Sequence, residues 1–278
     1  MLEQKWDAIL MPGAEETRVW ELLHENSKTS RFDRPPSDEA VTARMAGMYE
    51  SLSYELYPSV ELPGQLAPLR LSLAEAITGR VTARSMQPCT LSLPTLNALL
   101  YYAYGVTRDN RGTAFPRPFR TVPSGGALYP LEIFFHSAHV AGLPAGLYHY
   151  NPSANNLQCL HARDDTERLA QALVHGHVAH DAALLVFITA LFERNTFKYG
   201  ERGYRFTLLE AGHVAQNINL VATALGLGCM NIGGYFDRDV DTILGLDGLT
   251  HSTIYMIALG QSSDVPLDEV PSDSARAV

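Results

Sequence analysis

The chain has 278 residues, of which 46% are hydrophobic and 18% are charged, a composition typical of a globular protein with a sizeable core. Its formal net charge of −9 argues against nucleic acid or an anionic membrane surface as the main partner, because no basic tract offsets the repulsion. No apolar run approaches the roughly 18 residues that a membrane-spanning helix needs, so we predict no membrane span.

The cysteines Cys89, Cys159 and Cys229 lie far apart in the sequence and form no CxxC pair. The first residues also lack the basic-then-apolar order of a signal peptide. These features predict reduced thiols and a cytoplasmic location.

The sequence of the N-terminal region predicts one helix, followed by an arm that wraps around the rest of the protein. Residues 14–26 are helical by composition, with acidic side chains in the first turn, where the helix dipole favours them. Residues 28–68 alternate helix-like pieces with prolines. We therefore divide the chain into an N-terminal helical arm of residues 1–68, a main domain of residues 69–262 and a C-terminal tail of residues 263–278.

The main domain interleaves helices and strands without a regular βαβ rhythm, which predicts an α+β fold rather than a doubly wound sheet. The clearest helix, residues 92–105, can be capped by Ser92 and has Pro94 in its first turn. The clearest strand is the apolar run 182–192, which indicates burial on both faces. The other predicted helices are residues 71–80, 164–176 and 206–228, and the other predicted strands are residues 131–138, 146–150, 155–160 and 252–260.

Arg80, Thr82 and Arg84 lie in the segment RVTAR, directly after a predicted helix end. Alternate residues of an extended segment project to one side, so two guanidinium groups and a hydroxyl could bind one phosphate. A solvated basic turn accounts for the same residues, and on this pattern alone we favour that simpler interpretation.

Two pairs of adjacent glycines suggest places where the backbone can approach a flat ligand. The first pair lies in PSGGALYP, residues 123–130, and the second is Gly233 and Gly234, after a strand-like segment. Glycine permits close approach and lets N–H groups point at a ligand, although an ordinary tight turn or bulge explains each pair as well. The chain contains no GxGxxG, GxSxG or Walker A sequence.

Lysine is rare in this chain, which has only Lys5, Lys28 and Lys198 against eighteen arginines. The first two belong to the N-terminal region, which we predict to be peripheral. A lysine can lose its proton when it is buried or crowded, whereas an arginine effectively cannot. Lys198 therefore stands out as a candidate for chemistry.

Lys198 is followed by Tyr199 in the segment FKYGERGYR, where Gly200 and Gly203 predict special turns. An ammonium group beside a phenol can exchange a proton with it, which suits an enzyme that transfers protons. The alternative is a surface loop whose charges are screened by water.

Two polar clusters are explained more simply by structure than by chemistry. Glu210, His213 and Asn217 share one face of the longest predicted helix, and we expect them to be hydrogen-bonded within the core or across a subunit boundary. The histidines of HGHVAH, residues 175–180, are close enough to share a metal ion, but no carboxylate or cysteine occurs at ligand spacing. We predict a solvated connection there and no metal site.

Taken in this order, the segments resemble the FMN-dependent nitroreductase superfamily, and more closely its SagB-type branch, the dehydrogenases of thiazole/oxazole-modified peptide biosynthesis. The resemblance runs from about Leu71 to Gly260, and Val81 and Thr82 depart from it because the superfamily usually has arginine and serine there. The segments that carry it are RVTAR, RTVPSGGALYPLE (120–132), GLYHYNP (146–152), residues 198–228 beginning KYGERGYR, and IGGYF (232–236).

The resemblance implies a nitroreductase-like α+β fold, with a central, mostly antiparallel sheet flanked by helices, in an intertwined homodimer with FMN at the subunit interface. It implies that Lys198 and Tyr199 are the catalytic pair. The residues that it assigns to FMN are Arg80, Thr82 and Arg84 for the phosphate and ribityl chain, Pro123, Ser124, Gly125 and Gly126 along the isoalloxazine ring, and Gly233 and Gly234 on another side of that ring.

The function implied is oxidation of thiazolines or oxazolines in a modified precursor peptide to thiazoles or oxazoles. Tyr199 would take the Cα proton, FMN N5 the Cβ hydride, and dioxygen would reoxidise the flavin. A cyclodehydratase is a candidate partner. The alternatives are an NAD(P)H-dependent flavin reductase of dehydroamino acids or nitro or quinone compounds, and a non-catalytic scaffold that docks a cyclodehydratase without flavin.

Overall fold

The computed structural model describes residues 18–110, 112–113 and 117–263. Residues 14–17 of the first predicted helix and all of the predicted tail except Ser263 lie outside this part of the chain. The helices are α1 (Val19–Asn26), α2 (Asp38–Ala46), α3 (Leu73–Gly79), α4 (Leu93–Tyr104), α5 (Thr166–Ala172), α6 (His177–Asp181), α7 (Glu193–Tyr199), α8 (Arg202–Ala224) and α9 (Asp237–Leu244). The strands are β1 (Ser59–Glu61), β2 (Met86–Gln87), β3 (Val106–Arg108), β4 (Phe119–Arg120), β5 (Leu131–Ser137), β6 (Gly146–Asn151), β7 (Asn156–His161), β8 (Leu184–Leu191), β9 (Gly228–Ile232) and β10 (His251–Ser262).

The described strands form an eight-stranded sheet and a small β3–β4 ribbon. The order in the large sheet is β1-β7-β6-β5-β8-β10-β2, and β9 pairs with β10 beside this path. Each neighbouring pair runs antiparallel. The prediction of an α+β fold with a mostly antiparallel central sheet is therefore confirmed.

The central strands β5 and β8 are buried along almost their whole length. Successive side chains of a strand point to opposite faces, and here they enter two different cores. On β8, Val186 and Ile188 belong to the core shared with α4 and α8, whereas Leu185 and Phe187 belong to the core shared with α5 and α9. Because helices cover both faces, the strand is apolar throughout, as its sequence predicted.

Local capping signals set the start of α4. Ser92 Oγ accepts a hydrogen bond from Thr95 N at 3.2 Å, and Pro94 occupies the first turn, as predicted. None of the helices within the described ranges has the length and apolar character that crossing a membrane requires.

The predicted solvated connection at residues 175–180 is only partly right: its three histidines are exposed, but α6 occupies most of the segment. Val178 and Ala179 of this short helix are buried in the core with α5 and α9. Burial of these two apolar side chains favours the helix despite the neighbouring histidines. Among the described residues, no group of three or more His, Cys, Asp or Glu side chains is arranged to hold a metal ion.

The N-terminal arm is attached to the sheet through β1, which pairs with β7, and through a buried carboxylate on β5. Glu132 accepts hydrogen bonds from two arm groups, Ser51 Oγ at 3.0 Å and Leu52 N at 2.9 Å. His149 Nε2 at 2.7 Å and Arg194 Nη1 at 2.6 Å complete its partners. Although burial alone raises a carboxyl pKa, the His149 bond and the Arg194 charge hold the pKa of Glu132 well below its usual range.

Candidate functional site

Lys198 and Tyr199 lie in the last turn of α7, directly before the junction with α8. Gly200 ends α7 with a φ of +53°, a backbone conformation that favours glycine. The prediction of a special turn is wrong for Gly203, which lies inside α8. A Cβ at Gly203 would be 2.8 Å from the carbonyl carbon of Asn195, so this glycine lets α8 pack directly on the backbone of α7.

The segment that contains Gly125 and Gly126 forms a tight turn directly before β5. Gly126 has a φ of +62°, and Ala127 and Tyr129 also have positive φ values of 51° and 47°. The turn is fixed by Ser124, whose Oγ accepts a hydrogen bond from Tyr129 N at 2.9 Å. Such conformations carry backbone strain and are frequent at functional sites.

The structure brings this turn and the Lys–Tyr pair together. A Cβ built on Gly126 would lie 2.8 Å from Tyr199 Oη and 2.9 Å from Lys198 Nζ. The Lys198 ammonium is 5.3 Å from the centroid of the Tyr199 ring, and that ring meets Phe206 edge-on with centroids 5.0 Å apart. Two motifs that are distant in the sequence therefore form one cluster of an ammonium, a phenol and the backbone of the glycine turn.

Two cavities border this cluster. One of about 760 Å³ is lined by residues 196–202 and by residues of the N-terminal arm. The other, of about 250 Å³, is lined by residues of the glycine turn and of α8. Its lining residues are Pro123, Ser124, Gly125, Phe206, Leu209, Glu210 and His213. Phe206 borders both cavities.

The polar stripe of α8 is hydrogen-bonded mainly to α4 of the same chain. The Tyr104 hydroxyl donates to Glu210 Oε1 at 2.8 Å, and Asn217 Nδ2 donates to the carbonyl oxygen of Tyr102 at 3.1 Å. His213 is exposed beside the smaller cavity. The expected hydrogen bonding is therefore present within one chain for Glu210 and Asn217, and these two contacts need no second subunit.

Glu210 is 2% exposed, and burial raises its pKa to about 7. The hydroxyls of Ser124 and Tyr104 and the charge of Arg120 oppose that rise. Of these three groups, only the Tyr104 hydroxyl is placed to hydrogen-bond to the Glu210 carboxyl group, through Oε1. The other oxygen, Oε2, has no hydrogen-bond partner among the described residues. Sequence reasoning assigned Glu210 a structural role and missed that it borders the glycine turn.

Arg120 is a second residue near the site that sequence reasoning did not single out. Its guanidinium lies over the rings of Tyr104, at 4.3 Å, and Tyr129, at 4.8 Å, and it also donates to the carbonyl oxygen of Glu50. It therefore ties the arm and α4 to the strained turn. Its place in the segment RTVPSGG was the available sequence signal.

The predicted phosphate-binding segment lies elsewhere in the fold. Ala83 N donates to the carbonyl oxygen of Cys229 at 3.0 Å, which attaches the segment to β9, while Thr82 and Arg84 are exposed. The strand β9 leads directly to the exposed Gly233 and Gly234. The described linings of the two cavities beside Lys198 include none of Arg80, Thr82, Arg84, Gly233 and Gly234. The candidate residues therefore form two groups.

Comparison with known proteins agrees with this fold. The model of the nitroreductase family matches residues 77–261. MJ1384, a protein of Methanocaldococcus jannaschii named as a nitroreductase, is 37% identical over 174 residues, which cover 63% of this chain and 84% of that protein. The microcin B17-processing protein McbC of Escherichia coli is 34% identical over 181 residues, which cover 63% of this chain and 64% of McbC.

A solved structure with the same fold matches a larger share of this chain. In the E. coli microcin synthetase McbBCD complex with truncated pro-MccB17 bound, the matching chain has a TM-score of 0.58 and 25% identity, and the match covers 88% of this chain and 92% of that one. The resemblance predicted from the motifs, including its peptide-processing branch, is confirmed by these matches. Because the family model spans most of the sequence and the fold agrees, this protein belongs to the nitroreductase family.

Proposed function

We propose that this protein is an FMN-dependent dehydrogenase that oxidises thiazolines or oxazolines in a modified precursor peptide to thiazoles or oxazoles. The observation that carries the proposal is the close packing of Lys198 and Tyr199 against the backbone of Gly126. The similarity to McbC, which processes microcin B17, supports a peptide substrate. The match to a complex with a truncated precursor bound supports the same class.

The two groups of candidate residues fit a flat cofactor that carries a phosphate. Residues 123–126 offer a turn with little side-chain bulk, and Gly233 has open space beside its α-carbon. Arg80, Thr82 and Arg84 offer two cations and a hydroxyl in a partly or fully exposed segment, which suits the phosphate and ribityl chain. When bound, FMN would supply the acceptor for a hydride, with dioxygen as the final oxidant.

The separation of these two groups within one chain supports a homodimer. Gly126 and Lys198 lie together, whereas Arg84 lies near Met230 and Val178 on the β9 side of the molecule. A site that needs both groups would be completed by a second copy of the chain. We therefore propose a cofactor site at the interface of two subunits.

The residues of the chain have separate tasks in this reaction. Converting an azoline to an azole removes a proton from Cα and a hydride from Cβ, and a C=C bond forms between them. Tyr199 Oη is the proposed base for the Cα proton, because Tyr199 lines the larger cavity and its hydroxyl lies against the glycine turn. The Lys198 ammonium, close to the Tyr199 ring, stabilises negative charge on that oxygen.

Turnover of a synthetic thiazoline peptide by the FMN-loaded protein tests this assignment. General base catalysis contributes about 10²–10⁴-fold, so Tyr199→Phe and Lys198→Met should lower the rate of thiazole formation by about that factor. The flavin content, read from the visible absorption spectrum, should stay unchanged. Normal turnover in either variant with normal flavin content contradicts the assignment.

The match to a nitroreductase-named relative favours one alternative, an NAD(P)H-dependent reductase of alkenes, nitro compounds or quinones. Mixing the flavin-loaded protein with NAD(P)H without oxygen separates the two functions. Rapid bleaching of the flavin supports the reductase, and an unchanged spectrum supports the dehydrogenase.

We also propose that the protein works beside a cyclodehydratase that forms the azoline rings. The solved match belongs to a synthetase complex, which supports an assembly of this kind. Co-purification of the two tagged proteins tests the contact, and separate elution at micromolar concentration contradicts it.

A further inference from the structure

The larger cavity lies between the N-terminal arm and the α7–α8 junction. On the junction side it is lined by residues 196–202, and on the arm side by residues 26–30 and 33–36. Its volume of about 760 Å³ falls within the range of about 300–1,000 Å³ that is typical of ligand sites. The arm, predicted to be peripheral, is therefore the wall that faces Lys198 and Tyr199.

Two arginines of the first turn of α8 hold this part of the arm in place. Arg205 Nε donates to Ser27 Oγ at 2.7 Å, and Arg205 Nη2 donates to the carbonyl oxygen of His24. Arg202 Nη1 donates to the carbonyl oxygen of Ser27 at 3.2 Å. These cations complement the free carbonyl groups at the C-terminal end of α1. Ser27 is only 1% exposed, so the arm is packed against α8.

The lining of this cavity is positive although the chain carries a net charge of −9. Among the described residues, its cations are Lys28, Arg34, Lys198 and Arg202, and its carboxylates are Asp33 and Glu201. Two of the three lysines in the chain, Lys28 and Lys198, are thus in one cavity. A cleft whose lining has an excess of positive charge concentrates anionic ligands.

The existing partner of Lys28 leaves its ammonium able to bind a ligand. The Asp33 carboxylate accepts a hydrogen bond from Ser30 N at 2.7 Å, which orders the turn of the arm. Lys28 pairs with Glu25, but both side chains are largely exposed. Exposed pairs of this kind contribute little to stability, so a ligand carboxylate can compete for the Lys28 ammonium.

We propose that residues 26–36 of the arm form the outer wall of the substrate site, and that Lys28 and Arg34 bind a carboxylate of the substrate peptide. The inference rests on the proposed function and adds a substrate preference: the protein favours peptides that carry a carboxylate close to the reacting ring. An acidic side chain or the C-terminal carboxylate of the peptide supplies this group. Lys198, on the opposite wall, stays free for the reaction.

Binding of thiazole peptides, which cannot react further, tests the inference without turnover. Three synthetic thiazole hexapeptides are titrated into the full-length flavin-loaded protein by calorimetry. The first has a glutamate two residues from the ring and an amidated C-terminus, and the second replaces this glutamate with glutamine. The third is the glutamine peptide with a free C-terminal carboxylate. We expect the glutamate peptide or the free-acid peptide to bind about three- to tenfold more tightly than the neutral one. The tighter of the two identifies the source of the carboxylate, and added salt should weaken the preference.

Variants test whether residues of the arm cause the preference for a peptide carboxylate. Lys28→Met and Arg34→Gln should each reduce it, and the double variant should abolish it. Arg238→Gln, which removes a cation from the exposed surface of α9, should leave it unchanged. Equal binding of all three peptides, no measurable binding of any peptide at millimolar concentration, or a preference that survives in the double variant overturns the inference. If the preference is present but the matching thiazoline peptides are not oxidised, the binding site stands and the proposed function fails.

Discussion

The phenolic oxygen of Tyr199 lies against the α-carbon of Gly126, so that a Cβ at this glycine would be only 2.8 Å away from it. The same Cβ would be 2.9 Å from Lys198 Nζ. Glycine is therefore favoured here for two independent reasons, its φ of +62° and the lack of space for a side chain. Any change at this position acts on both members of the proposed catalytic pair.

Gly126→Ala should lower both stability and activity. An alanine in a left-handed conformation costs about 1–2 kcal/mol, and the new methyl group displaces the ends of the Tyr199 and Lys198 side chains. We expect turnover of a thiazoline peptide to fall more than tenfold. Gly245→Ala is the matched control, because Gly245 has a φ of +73° and nothing within 4 Å of its added Cβ. Equal activity of the two variants would show that the contact with Tyr199 has no effect on the reaction.

Glu210 should make the stability of the protein depend on pH. Its folded pKa is about 7, above the ordinary glutamate pKa of 4.5, so between these pH values the folded state holds a proton that the unfolded state has released. The stabilisation is complete below the unfolded pKa and is lost as the pH rises through the folded pKa, a change of about 3 kcal/mol. Glu210→Gln cannot ionise and should remove this slope from urea unfolding measured between pH 5 and pH 8. If the slope is the same in both proteins, Glu210 does not titrate in this range.

Gly203 and Gly212 both lie within α8 but have different surroundings. A Cβ at Gly203 would be within 2.9 Å of backbone atoms of Asn195 and Thr196, whereas nothing lies within 4 Å of one at Gly212. Gly203→Ala should therefore force α7 away from α8 and cost about 1–3 kcal/mol. Gly212→Ala should stabilise the helix by about 0.5–1 kcal/mol. Thermal unfolding of the two variants checks this, and a stabilised Gly203→Ala protein would contradict the packing of these helices.

Removal of the Glu132 charge should loosen the N-terminal arm. Glu132→Gln leaves Arg194 without its buried anionic partner, and breaking a buried pair of this kind costs about 3–5 kcal/mol. Because the pKa of Glu132 is lowered, the stability that it contributes is present above the unfolded pKa and is lost as the pH falls below it.

Limited proteolysis near Ser51, together with urea unfolding, measures this release of the arm. Glu55→Gln, at an exposed position of the same arm, should change stability by no more than about 0.5 kcal/mol. An equally resistant arm in Glu132→Gln and in the control would show that the network does not hold the arm.

Helix and strand positions were largely predictable because they depend on local patterns. The apolar run that predicted a strand at 182–192 contains β8, and the capping signal at Ser92 marks the start of α4. The start of α8 was predicted four residues too late, because Gly203 has a poor intrinsic helix propensity and its packing on Asn195 could not be read from neighbouring residues. Tertiary packing overrode propensity at that point.

Periodicity, capping residues and glycine motifs are properties of neighbouring residues, so the sequence by itself determined the fold class, most elements and the choice of Lys198 and Tyr199 as candidates. Only the tertiary structure decided that this pair packs on Gly126 and that the arm, with Lys28, faces it across a cavity. These contacts join residues that are far apart in the chain, and they depend on how helices, strands and arm pack together rather than on any local preference.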